Sequence, residues 1–180
     1  WPTAAAIDLP DLPDLPDRDR PDVPCLLMCG TLSKAVGGFG GIVPCSEAIM
    51  EGIKSTSHYY EGASAMPVPV AAATAKALNI LLAQPELRAR LHENVRSLKT
   101  GLGRLGLETD DTPVPIISLT VGDAANMQRI QRELAERGIM IAYRATYSGL
   151  GPEGALRLAV FATHCEQQIE RLLDELGRLL

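Results

Sequence analysis

The sequence predicts an α/β fold, with helices and short strands alternating over most of its 180 residues. Two patterns carry that reading. Apolar residues recur at helical spacing in Leu87, Leu91, Val95, Leu98, Leu102 and Leu105. Short apolar runs, such as residues 116–121, sit between turn signals at strand length. A hydrophobic content of 46% and a charged content of 22% suit a globular domain with a core. The net charge of −5 gives no electrostatic reason to expect nucleic acid. No apolar run approaches the about 18 residues of a membrane span, and the first residues lack the basic and apolar regions of a signal peptide.

Residues 1–24 repeat Asp-Leu-Pro three times. Proline at every third position blocks helix and sheet ladders, so this stretch reads as an extended or disordered lead-in. Residues 25–30 and 41–45 read as two buried strands. Ser46 is placed to cap a helix carrying Ile49, Met50 and Ile53. Residues 62–69 read as a loop, and 71–83 as a helix of strong formers. Pro85 suits the first turn of the long helix that follows, and Gly106 ends it. After the strand at 116–121, Asp123 caps a helix with Met127, Ile130 and Leu134 on one face, stopped by Gly138. Residues 139–143 and 155–161 read as two more strands. Thr163 and Glu166 form a capping-box pattern before a last helix that buries Ile169, Leu172, Leu173 and Leu176. The chain thus divides into a lead-in (1–24), a first α/β piece (25–84), and a linking helix with a small C-terminal α/β domain (85–180).

Cysteines stand at 25, 29, 45 and 165, without a C-x-x-C pair or a histidine spaced for zinc. They read as buried, reduced thiols, which favours the cytoplasm and leaves no metal site.

The chemistry concentrates in Gly30-Thr31-Leu32-Ser33-Lys34-Ala35-Val36-Gly37-Gly38-Phe39-Gly40-Gly41. One lysine lies between a hydroxyl pair and four glycines. A lysine attacks a carbonyl when its neutral amine is accessible. The glycines allow close backbone approach, and Thr31 and Ser33 offer hydroxyls to an anion. A Schiff-base lysine beside a phosphate pocket fits this pattern, and pyridoxal phosphate needs both. A structural glycine turn with an incidental lysine fits it too. The Walker pattern and G-x-G-x-x-G are absent.

The segment from Gly30 to Gly38 resembles the cofactor-lysine motif of the α-oxoamine synthases, fold-type-I pyridoxal-phosphate enzymes of the 8-amino-7-oxononanoate synthase and 2-amino-3-ketobutyrate CoA ligase kind. The resemblance continues through Gly41-Ile42-Val43, Tyr60 to Pro67, and Arg157 to His164. It implies the end of a large cofactor-binding domain plus the small α/β domain, which is the C-terminal half of an enzyme about twice this length. It implies a homodimeric acyltransferase that condenses an amino acid with an acyl-CoA thioester, by default the 8-amino-7-oxononanoate synthase reaction of biotin biosynthesis. Lys34 would carry pyridoxal 5'-phosphate and act as acid and base at the substrate's α-carbon. Thr31 would contact the phosphate, and Ser64 would serve the phosphate site of the neighbouring subunit. Arg157 would grip the amino-acid carboxylate, whereas residue type alone also allows a surface arginine on a strand edge. His164 reads as local packing or capping. His58, Tyr59 and Tyr60 could line the cofactor or acyl pocket or pack at an interface. The family's aspartate for the pyridine nitrogen has no match in residues 1–7. Another fold-type-I aminotransferase or lyase stays open, as does a non-catalytic remnant acting as a dimerisation or interaction domain.

Overall fold

The structure is a computed structural model that describes residues 27–147 and 149–180. The Asp-Leu-Pro lead-in and Cys25 lie outside the described residues. The chain divides into two compact units, with the boundary between Ile80 and Leu81.

In the first unit, β1 (Gly30–Thr31) and β2 (Gly41–Ile42) form an antiparallel hairpin with Thr31 opposite Gly41. Helices α1 (Glu47–Thr56) and α2 (Val68–Ala83) follow. The two expected buried strands are only two residues long each and are exposed. The glycine-rich turn takes up the backbone that would extend them. A two-stranded hairpin also has no third strand to cover its apolar residues. Leu27, Met28, Ile42 and Val43 are accordingly exposed. The thiols differ from expectation for the same reason: Cys29 is exposed and Cys45 half-buried, and Cys165, at a helix start in the second unit, is exposed as well. Ser46 occupies the N-cap of α1, but its side chain makes no capping bond. Helix α2 begins three residues earlier than the sequence suggests, at Val68, because Pro69 falls in its first turn, where no N–H is needed.

Close packing joins the hairpin to α2. A Cβ built on Gly38 would meet Oγ1 of Thr74 at 2.1 Å and Cβ of Thr74 at 3.0 Å. Thr74 is buried, and its hydroxyl donates to the Val70 carbonyl at 2.7 Å. A β-branched side chain tied in this way has little freedom to move aside.

The second unit holds α3 (Pro85–Arg104), β3 (Ile116–Leu119), α4 (Ala124–Glu136), β4 (Ala142–Arg144), β5 (Ala155–Ala159) and α5 (Glu166–Gly177). Its antiparallel sheet has the order β3-β5-β4. One sheet face, with Ile117, Leu119, Leu156 and Leu158, is buried against α3, α4 and α5. Val95, Leu98, Leu102, Met127, Ile130, Leu134, Ile169 and Leu176 complete this core. Each such side chain contributes about 1.5–3 kcal/mol on burial. Helices α3 and α5 approach closely at Gly101, where a Cβ would lie 2.1 Å from Cδ1 of Leu173.

Pro85 opens α3 and Asp123 caps α4, accepting from the Asn126 N–H at 2.8 Å. The strand boundaries shift for local reasons. The Ile139 N–H closes the end of α4 on the Leu134 carbonyl at 2.9 Å, so β4 starts only at Ala142. The Phe161 N–H donates to Nδ1 of His164 at 3.3 Å, past the end of β5. The turn at residues 161–164 moves the last cap from Thr163 to Cys165, whose N–H donates to Oε1 of Gln168 at 3.0 Å. Thr163 and Glu166 therefore do not form the capping box. Among the described residues, no helix is long and apolar enough to cross a membrane.

Two polar ties hold α3 in place. Asn94 is buried and donates through Nδ2 to the carbonyls of Phe161 and His164, at 3.0 and 2.9 Å. Lys99 donates to the carbonyls of Asp110 and Thr112, at 2.8 and 2.6 Å, and to Oδ1 of Asp110 at 2.5 Å. The Lys99 hydrogen bond, helped by the Thr112 hydroxyl and N–H, holds the Asp110 carboxyl below its ordinary range.

Leu102→Ala is expected to cost about 2–5 kcal/mol in denaturant unfolding followed at the second unit. Gly38→Ala should displace the hairpin and open it to limited proteolysis, and adding Thr74→Ala should restore much of the protection. The depressed Asp110 pKa stabilises the fold above the ordinary carboxylate range of about 4, and that contribution is lost as pH falls through the folded value. Thermal melts of wild type and Asp110→Asn should therefore differ slightly at neutral pH and converge below about pH 4.

Candidate functional site

The hairpin turn of the first unit places the sequence-predicted lysine. Lys34 accepts from the Gly37 N–H at 2.9 Å through its carbonyl. Crossing bonds from Leu32 N–H to Gly40 O (2.9 Å) and from Gly38 N–H to Leu32 O (2.7 Å) close the turn. Lys34 is exposed, and its ammonium has no hydrogen bond or ion pair among the described residues. Thr31 and Ser33 stand on the same turn, with their hydroxyl oxygens 2.8 Å apart. The Ser33 N–H donates to the Thr31 hydroxyl at 3.2 Å. One short stretch thus offers an exposed amine and two exposed hydroxyls, which share one hydrogen bond, with the Thr31 hydroxyl also 3.4 Å from the Gly40 carbonyl oxygen.

Ser64 is exposed in the loop before α2. That loop meets the hairpin at Met66, whose Cε would lie 3.4 Å from a Cβ on Gly40. No hydrogen bond joins Ser64 to the Lys34 turn among the described residues. His58, Tyr59 and Tyr60 are exposed, Tyr59 almost completely at 96%.

In the second unit, Arg157 lies on the central strand β5, opposite Ser118 of β3 and Ala142 of β4. It is not a strand-edge arginine. Leu156 and Leu158 point into the core, so pleat alternation puts Arg157 on the opposite, open face. The Arg157 guanidinium carbon sits 4.5 Å from the centre of the Tyr147 ring. Tyr147 gave no sequence signal, because a loop brings it to Arg157 from ten positions away. His164 packs locally, as expected: its ring meets Phe161 edge-on, with centroids 5.4 Å apart. Asn94 also escaped the sequence reading, since a polar residue on an apolar helix stripe does not reveal its distant carbonyl partners.

Similarity to known proteins extends over most of the chain. The 8-amino-7-oxononanoate synthase of Chromohalobacter salexigens is 38% identical over 160 residues, which is 88% of this chain and 41% of that protein. The Methylococcus capsulatus 8-amino-7-oxononanoate synthase is 35% identical over 157 residues, covering 87% of this chain and 40% of its own length. The chain therefore spans about two fifths of the curated relatives it matches. Among solved structures, the Francisella tularensis 8-amino-7-oxononanoate synthase aligns with a TM-score of 0.75 at 26% identity, over 86% of this chain and 45% of that one. Sphingomonas wittichii serine palmitoyltransferase aligns with a TM-score of 0.75 at 26% identity, over 85% and 39%. The mixed α/β architecture is that of these fold-type-I enzymes. The model of the family described as aminotransferase class I and II matches residues 4–176, and the chain belongs to that family.

Proposed function

We propose that the chain is the C-terminal part of a pyridoxal-phosphate-dependent acyltransferase that condenses an amino acid with an acyl-CoA thioester, as 8-amino-7-oxononanoate synthases do. The observation that carries this reading is the hairpin turn, where Lys34 is exposed beside the Thr31 and Ser33 hydroxyl pair. The identity of 38% to a protein of that name supports it.

The residues present fit two ends of the cofactor. An accessible primary amine suits its aldehyde, and paired hydroxyls suit its phosphate. The carboxylate that the ring nitrogen needs has no match in residues 1–7, and no residue of this chain is given that role. When bound, pyridoxal phosphate supplies an electron sink for charge at the substrate's α-carbon. Lys34 would hold the aldehyde end through its amine, and that amine would take and return the proton at the substrate's α-carbon. The Thr31 hydroxyl would donate to a phosphate oxygen, and Ser64 would do the same for the neighbouring subunit of a homodimer. Arg157 holds the amino-acid carboxylate through its planar fork of donors. In this arrangement residues 25–84 close the large domain, and 85–180 form the linking helix and small domain. A cytoplasmic setting suits the free thiols.

Incubation with pyridoxal phosphate followed by borohydride should leave a pyridoxyl label on Lys34, located by peptide mass. Lys34→Ala should remove that label while Lys54 and Lys76 stay unlabelled. An unlabelled wild-type chain would overturn the cofactor assignment. In the loaded protein, L-alanine-dependent release of free CoA from an acyl-CoA supports the acyltransferase. Amino transfer to an oxo acid without CoA release would replace it with an aminotransferase.

A further inference from the structure

Arg157 is half-buried on the open sheet face, and its guanidinium makes no hydrogen bond or ion pair among the described residues. Its cross-strand neighbours there are Ser118 and Ala142, both small. The aromatic ring of Tyr147, itself 60% exposed, lies against the guanidinium at 4.5 Å. A ring at that distance is within cation–π range. The five N–H donors lie in the guanidinium plane, where a carboxylate binds two of them side by side. Stacking and carboxylate binding therefore use different directions of the same group.

Tyr147 lies in the loop between β4 and β5, which is anchored at its far end. The Leu150 N–H donates to the Tyr147 carbonyl at 3.1 Å. At the loop's far end Gly154 has a φ of +74°, and a Cβ there would lie 2.2 Å from the Arg144 carbonyl oxygen, so only glycine closes the hairpin. The preceding Glu153 is tied twice. Its carbonyl accepts from the Tyr143 hydroxyl at 2.9 Å, and its carboxylate accepts from the Ala124 N–H at 3.0 Å.

We propose that Tyr147 is a positioning residue for carboxylate recognition: its ring pins the Arg157 guanidinium so that the donor edge stands open on the free face of the sheet. This rests on the reading that Arg157 receives the amino-acid carboxylate. An arginine side chain immobilised before binding loses less rotamer freedom when the carboxylate arrives. The hydroxyl of Tyr147 is not needed for this; the ring is.

The test follows the Arg157 Nε–Hε resonance of the full chain by NMR during titration with L-alanine, with alaninamide as the carboxylate-free control. In wild type the resonance should show a ring-current shift and respond to L-alanine but not to alaninamide. Tyr147→Phe should keep the shift and a midpoint within about twofold of wild type, whereas Tyr147→Ala should lose the shift and raise the midpoint about threefold to fivefold. Arg157→Lys, followed through the Ser118 and Ala142 amides, should lose the response. If Arg157→Lys loses it while Tyr147→Ala titrates like wild type, the role of Tyr147 is overturned and the carboxylate assignment stands. If Arg157→Lys titrates like wild type, Arg157 is not the receptor and both fall. Tyr147 is an exposed loop residue, so its variants should retain the wild-type circular dichroism spectrum.

Discussion

Alternation along β5 is the constraint on which the second unit depends. Leu156 and Leu158 must face α3, α4 and α5 to complete the core, and that leaves Arg157 on the other side. A one-residue slip would bury the guanidinium without a partner and expose two leucines. The same hydrophobic burial that stabilises the unit therefore also fixes where its cation points. Because β5 is the central strand, with β3 and β4 on either side, the direction is held on both flanks.

The first unit depends on a different restriction, the absence of a side chain at Gly38. The hairpin can lie against the buried Thr74 of α2 only if nothing occupies that Cβ position. The Lys34 turn is thereby seated on a helix, although its strands are too short to form a stable sheet of their own. Gly38, one of the glycines that allow close backbone approach, thus has a packing duty as well. The hydroxyls of Thr31 and Ser33, rather than the glycines, supply the polar face of the turn.

Helices were the most legible elements. The leucine stripe of α3, the proline that opens it and the Asp123 cap of α4 act through neighbours within a turn or two, so local pattern suffices. Strand limits and the last cap were less legible, because competing local bonds set them. The Ile139 N–H goes to the end of α4, and the His164 ring takes the Phe161 N–H. The expected burial of Leu27, Cys29 and Val43 failed because apolar composition states a preference for burial but does not supply the covering surface.

By itself the sequence determined the alternation of helix and strand, the lysine with its hydroxyl pair, and the pairing of a core strand with an arginine, since these follow from periodicity and residue chemistry. Only the tertiary structure decided that Arg157 sits on a central strand, that Tyr147 stacks on it, and that Asn94 and Lys99 tie α3 to distant carbonyls. Those features join residues far apart in the chain. They arise from strand order and loop closure, which no local pattern encodes.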